Sequence, residues 1–536
     1  MMPLHSKPHL ILYNSRIFDP ASGRALAASA LAVGSNRILA LGSDADILSL
    51  AGPETERIDA GRRWLLPALT DAHTHLSGYA TRKLQIDFTR CATIDEALAA
   101  IRTAVEATPP GRWITGGGWS KAGLGLSDFP DKRMLDEIST HHFLAFQSRD
   151  WHSVWVNSPV LDMHDIDETT ADPPGGWILR YPDRREPSGV LQEKACEQIL
   201  QSIAPPSFKE IYPALLETFR EFHRLGITTA HSVETPYDFA HYQQLYDQGE
   251  LGLRIFWYFP DKYLKESEAK GYHAGLGNHF LKICGVKMFS DGALGSQTAD
   301  MLTNYRGLNH AGVEVLSAEA LREKIALSVA QKLSCAIHAI GDRANRKVLQ
   351  AFGEVADTSR RLDLRHRVEH AQLLHPDDIA LFAQQSVIAS MQPIHLAGDI
   401  PLIEQYWGER GRYAYAFNSL LNSGARLIFG SDTPIESFDP WKGIYSALTR
   451  KLNCDPAAPG FYPQERIELV PALQAYTLNC AYAVHEENHL GSIAVGKKAD
   501  IILIDRDIFH EPPEALLENR VLLTLQGGKV LWREMG

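Results

Sequence analysis

No stretch of about 18 apolar residues interrupts this chain, so nothing in it reads as a membrane span. The first ten residues, Met1 to Leu10, hold no long apolar segment of the signal-peptide kind. Its six cysteines (Cys91, Cys196, Cys284, Cys335, Cys454, Cys480) are far apart and form no CxxC pair. In a chain without a leader they are expected to be reduced core thiols, which points to the cytoplasm. No Lys/Arg block is present, and a formal charge of −12 leaves no basic stripe for a nucleic-acid partner. A Gly-Lys-Ser/Thr phosphate loop is missing too, as are internal repeats and low-complexity tracts.

What remains is ordinary soluble composition, 45% hydrophobic and 22% charged, spread over 536 residues. That length exceeds one compact core and predicts two or three domains. Short β-rich pieces lie at both ends: Leu10 to Tyr13, Ala30 to Val33 and Ile38 to Leu41, then Ile501 to Ile504, Val521 to Leu525 and Lys529 to Trp532. Neither end has enough strands for a sheet of its own, so residues 1–63 and 485–536 are expected to share one small β-sandwich. Between residues 226 and 434 strands alternate with helical periodicity, the pattern of a parallel sheet. Seven apolar strands there, plus the run from Trp64 that ends at His73, make eight. That count suits a (β/α)8 barrel over 64–80 and 206–484, with a doubly wound sheet as the alternative. Residues 81–205 break the repeat, carry five tryptophans between Trp113 and Trp177, and are expected to form an inserted α+β domain after the first strand.

The chemistry begins at His73-Thr74-His75. Alternation along a strand sends residues 73 and 75 to one side, and two imidazoles together are half of a metal site. An HxH alone is weak among 22 histidines. Four more polar residues end predicted strands, however: Lys287, His338, His370 and Asp432. In a barrel such ends converge on the face where active sites are built. Burying so many polar groups there is costly unless they are ligated or paired. His231, which ends the second strand, is read as either packing or support, and His141, His142, His366 and His375 as packing or surface residues. The glycine-rich stretch Ser290 to Thr298 is either a close approach to a ligand or a tight turn. Trp119, Trp151, Trp155 and Trp177 read as an aromatic lid or as the insert's own core.

These motifs resemble those of the amidohydrolase superfamily, and within it the YtcJ-like amidohydrolase 3 group that includes N-substituted formamide deformylases. The matching segments are Asp71-Ala72-His73-Thr74-His75, Val286-Lys287 through Gly295-Ser296, His338-Ala339-Ile340-Gly341-Asp342, Arg367-Val368-Glu369-His370-Ala371-Gln372 and Gly430-Ser431-Asp432-Thr433-Pro434. Asp150-Trp151-His152-Ser153 to Ser158 and Pro187-Ser188-Gly189-Val190-Leu191 are similar to the group's inserted domain. The resemblance implies a TIM-like metal-dependent hydrolase barrel holding two divalent metal ions, with zinc expected. His73 and His75 would hold the first ion and His338 and His370 the second. Lys287, carboxylated by CO2, would bridge them. Asp432 would ligate the first ion and act as the catalytic acid/base. For Lys287 the alternatives are an ion pair with Asp291 or an unmodified lysine in a one-metal site.

The implied activity is hydrolysis of a non-peptide C–N bond, a linear N-acyl or N-formyl amide, by a metal-bridging hydroxide. Substrate contacts are expected from His152, Asp291, Gly292, His395 and Trp119. A deaminase or cyclic-amide hydrolase on the same scaffold is the first alternative, and a non-catalytic regulatory barrel the second. The partner is a small-molecule substrate, with no nucleic acid and no membrane. Association into a homo-oligomer stays open.

Overall fold

In the computed structural model, which describes residues 7–121, 123–148, 153–173 and 176–534, the chain forms two compact units. One runs to Leu76 and resumes at Leu216, and the other is Ser77–Leu215.

The first unit contains an eight-stranded parallel sheet: β1 Leu69–Thr74, β2 Ile227–Val233, β3 Arg254–Pro260, β4 Leu281–Phe289, β5 Ser334–Ala339, β6 Arg367–His370, β7 Ile388–Met391 and β8 Leu427–Phe429. Each strand pairs with the next in sequence. The seam between β8 and β1 is closed by backbone hydrogen bonds just past β8, Asp432 N–H to His73 O (2.7 Å) and His75 N–H to Thr433 O (2.8 Å). This is a (β/α)8 barrel, not a doubly wound sheet. Burial on both faces explains why its strands read as continuous apolar runs. Amphipathic helices such as Ala318–Ala330, Asp342–Arg361 and Pro376–Gln385 fall where helical periodicity predicts them.

The apolar run from Trp64 to His73 is not one strand. Trp64–Pro67 pairs antiparallel with Ile501–Ile504 and parallel with Arg16–Asp19 in a separate sheet, and the barrel begins only at Leu69. Burial is continuous through Ala68, so hydropathy cannot reveal the change of partner. That separate sheet also takes Arg24–Ala25, Val521–Gln526 and Lys529–Arg533. Leu10–Tyr13, Ala30–Gly34, Arg37–Gly42 and Glu56–Asp59 make a second sheet. Leu10, Leu12, Leu31 and Val33 share one core with Ile501, Leu503, Leu523 and Leu525, so both chain ends build the sandwich. Arg254 of β3 meets Asp500 in a buried two-pronged pair, Nε–Oδ2 2.8 Å and Nη2–Oδ1 3.0 Å.

The second unit is built on a six-stranded mixed sheet, in the order Gly176–Arg180, Pro187–Glu193, Ser153–Val156, Phe143–Ser148, Trp113–Trp119 and Ile86–Asp87. Period-two alternation divides its core between two faces. Leu144, Phe146 and Trp155 face one side with Phe88 and Ile101, while Ala145, Val154 and Val156 face the other with Ile199. None of the six cysteines is in a disulfide, and five of them are buried. Among the described residues no helix is long and apolar enough to cross a membrane.

Candidate active site

At the C-terminal ends of the barrel strands, six groups from five strand ends come together. His73 lies in β1 and His75 follows it. Their imidazoles and the Asp432 carboxylate bring ligand atoms within 4.8 Å of one another. His75 Nε2 is 3.1 Å and His73 Nε2 3.4 Å from Asp432 Oδ1. Lys287 of β4 places Nζ 3.3 Å from His73 Nε2. The His370 ring at the end of β6 sits 5.1 Å from that of His73 and 4.6 Å from that of His338 in β5.

Each imidazole is anchored through one nitrogen, which fixes its tautomer. His73 Nδ1 donates to Glu369 Oε2 (2.5 Å), His75 Nδ1 to Val233 O (2.7 Å) and His370 Nδ1 to Gln392 Oε1 (2.7 Å). His338 is anchored the other way round, Nε2 donating to Gly292 O at 2.9 Å. The second ring nitrogen of each lies outside these anchors; at His75 burial lowers the imidazole pKa, but the Asp432 carboxylate bonded to Nε2 outweighs burial and raises it. Burial lowers His73 and His338 to about 4 and holds His370 well below its ordinary value, so all three are neutral. Neutral, oriented imidazoles beside a carboxylate are the donor set a zinc-class cation requires. Burial pushes the Asp432 carboxyl up, but the facing His73, His75 and His370 outweigh it and keep it well below the carboxylate range. Lys287 is pulled down to about 8, chiefly by burial.

The backbone is shaped to this purpose. His370 and Asp432 both adopt left-handed φ, 71° and 62°, which non-glycine residues rarely take. Gly430 is required by close approach, since a Cβ there would lie 2.4 Å from the His73 nitrogen. Buried Asp71 ties β1 to the end of β8, accepting the N–H of His73 (3.2 Å), the N–H of Ser431 (2.9 Å) and the Ser431 hydroxyl (2.5 Å).

A model of the Amidohydrolase family matches residues 56–532. The chain belongs to the amidohydrolase family. The putative amidohydrolase YtcJ of Bacillus subtilis (strain 168) is 29% identical over 494 residues, 90% of this chain and 91% of that one. N-substituted formamide deformylase of Arthrobacter pascens is 25% identical, with 98% of this chain and 99% of that one covered. Among solved structures, an uncharacterized metal-dependent hydrolase from Pyrococcus furiosus matches with a TM-score of 0.77 and 25% identity, over 93% of this chain and 99% of that one.

Around this amidohydrolase centre the expected substrate contacts separate. His395, in the helix Pro393–Leu402, has Nε2 3.6 Å from Asp432 Oδ2 and no hydrogen-bond partner for that nitrogen. Asp291 is buried and braces the loop after β4, accepting the N–H groups of Asp300 (2.9 Å), Ile340 (3.1 Å) and Gly341 (2.8 Å). Gly292 contributes its carbonyl to His338, and a Cβ on it would strike Thr298. Trp119 is buried in the core of the second unit, its indole N–H on Phe146 O at 2.7 Å. Trp155 shares that core and Trp177 is exposed. His152 and Trp151 lie outside the described residues.

Four supports were not read from the sequence: Glu369, Gln392, Asp71 and the Val233 carbonyl. Glu369 is the most informative. It is fully buried, pairs with the Arg367 guanidinium, and thereby sets the His73 tautomer. Arg367 in turn bonds His231 Nδ1 at 3.0 Å, so His231 supports the centre through two intermediaries. Two charges alternating on a buried strand, Arg367 and Glu369, were the available signal.

Proposed function

We propose that this protein hydrolyses a non-peptide C–N bond, that of a linear N-acyl or N-formyl amide, in a two-metal site. The observation that carries the reading is the set of four anchored histidines gathered with Lys287 and Asp432 at the barrel strand ends, where His73, His75 and Asp432 bring ligand atoms within 4.8 Å of one another. His73, His75 and Asp432 would hold one ion and His338 and His370 the other. Lys287 fits a bridging role only as its carbamate, because an ammonium donates toward His73 Nε2 where a ligand must accept. Its burial favours the neutral amine that adds CO2. When bound, divalent ions supply Lewis acidity, polarising the scissile carbonyl and acidifying water.

The remaining steps belong to the chain. Asp432 enters ionised, takes the proton of the attacking water and delivers it to the departing nitrogen. His395, with an unpartnered nitrogen facing Asp432 Oδ2, would hold the substrate's polar end near that carboxylate. The linear-amide preference is supported by likeness to the N-substituted formamide deformylase across nearly the whole of both chains.

The test is zinc per chain in wild type and Lys287→Ala, both purified with zinc and bicarbonate, then a library of N-formyl and N-acyl amines. About two ions in wild type, no more than one in the variant, and carboxylate release support the reading. Ammonia release from amino-substituted rings would favour a deaminase. No turnover with full metal loading would favour a regulatory barrel.

A further inference from the structure

Away from the catalytic face, a second group of metal-binding side chains gathers at the opposite end of β4. His279 lies two residues before that strand begins, and Glu486 and His489 follow the helix Leu478–Ala483. One ligand atom from each lies within 4.8 Å of the others. Lys287 is six residues along from Leu281, so strand rise puts the two centres roughly 20 Å apart.

We propose that His279, Glu486 and His489 form a structural site for a zinc-class divalent cation, separate from the catalytic centre.

Three features carry this assignment. His489 is half-buried, and its Nδ1 is a buried atom with no hydrogen-bond partner, which an ion or a water would satisfy. The His279 and His489 rings lie 4.7 Å apart, close enough to share one ion. The Glu486 carboxylate is buried: Oε1 meets the Lys282 ammonium, while Oε2 bonds His279 Nδ1 at 3.1 Å, a contact that an ion held by both would replace. Two imidazoles and one carboxylate oxygen make a common zinc donor set. An ion there would join the loop before β4 to the segment that leads into the sandwich strand Ile501–Ile504. Lys282 is the counterweight. Its charge holds Glu486 in place but repels a cation, so affinity should be set below that of a dedicated four-ligand site.

The experiment measures zinc per chain, by elemental analysis of the full-length protein equilibrated at fixed free zinc, alongside activity. His489→Ala and His279→Ala should each lose about one ion relative to wild type while kcat/KM is retained. Lys282→Met should load the same ion at lower free zinc, by removing the like charge. Zinc content unchanged in both histidine variants would overturn the proposal, as would an ion lost only together with activity. If the histidine variants fail to fold, Lys282→Met decides: unchanged zinc uptake would refute the site. The outcome does not depend on whether the catalytic centre takes one ion or two.

Discussion

Glu369→Gln offers a sharp test of how the catalytic histidines are set. In the native chain Oε1 faces the Arg367 guanidinium and Oε2 accepts from His73 Nδ1. Arg367 can only donate, so in the variant it holds the amide oxygen on its own side. The amide NH2 then faces His73 Nδ1 and must donate to it. That moves the imidazole proton to Nε2, the nitrogen that faces Asp432 and Lys287. A protonated Nε2 cannot ligate a cation. Loss of a supporting partner typically costs about 10–100-fold in metal affinity, and a reversed tautomer belongs at the upper end of that range.

Zinc affinity, measured by competition with a chromophoric chelator, should therefore fall about 100-fold in Glu369→Gln. Stability without metal is a separate term, because the variant leaves the Arg367 charge buried without its carboxylate. Removing one partner of such a pair costs about 3–5 kcal/mol. Adding Arg367→Met removes the stranded charge and should recover much of that stability. It should also recover part of the zinc affinity, because the amide is then free to turn its oxygen to His73 Nδ1, as Gln392 does for His370. Affinity within about threefold of wild type in Glu369→Gln would refute the tautomer argument. Affinity left unchanged by adding Arg367→Met would show that Arg367 does not set the orientation of the amide.

Other expectations follow from the same geometry. Asp432→Asn should lower kcat by about 10²–10⁴ in folded, metal-loaded protein, as steady-state kinetics beside elemental analysis will read, because the amide cannot accept the water's proton. Asp500→Ala should cost about 3–5 kcal/mol in chemical denaturation by stranding buried Arg254, whereas Arg254→Met with Asp500→Leu should cost far less. Buried His366 accepts the Cys335 N–H (3.0 Å) and bonds Ser359 Oγ (2.8 Å), and burial lowers it to about 4. The unfolded chain binds its proton first, near pH 6.5, so this contribution is intact above about 6.5 and falls by about 1.4 kcal/mol per unit as pH drops toward 4. Denaturation between pH 7 and 4.5 should show a slope shallower by one proton in His366→Gln, and equal slopes would refute this.

How much of this was legible in the sequence depends on whether a feature obeys strand periodicity. The eight barrel strands were, because a parallel strand covered on both faces is an apolar run. So was the convergence of Lys287, His338, His370 and Asp432, since each ends such a run. The break at Ala68 was not, because Trp64–Pro67 and Leu69–Thr74 are equally buried and differ only in their pairing partners. Glu369 escaped notice for a related reason. Alternation assigns neighbours 369 and 370 to opposite sides of β6, so a His370 that serves the site seems to exclude its neighbour. The left-handed φ of His370 removes that conflict: it turns the imidazole to Gln392 while Glu369 keeps its inward place against His73. Asp432 does the same past the end of β8. Aspartate and histidine take such a backbone more often than most non-glycine residues, but too seldom for the sequence to announce it. The strained positions are therefore where periodicity fails as a guide, and they are also where two of the six converging groups stand.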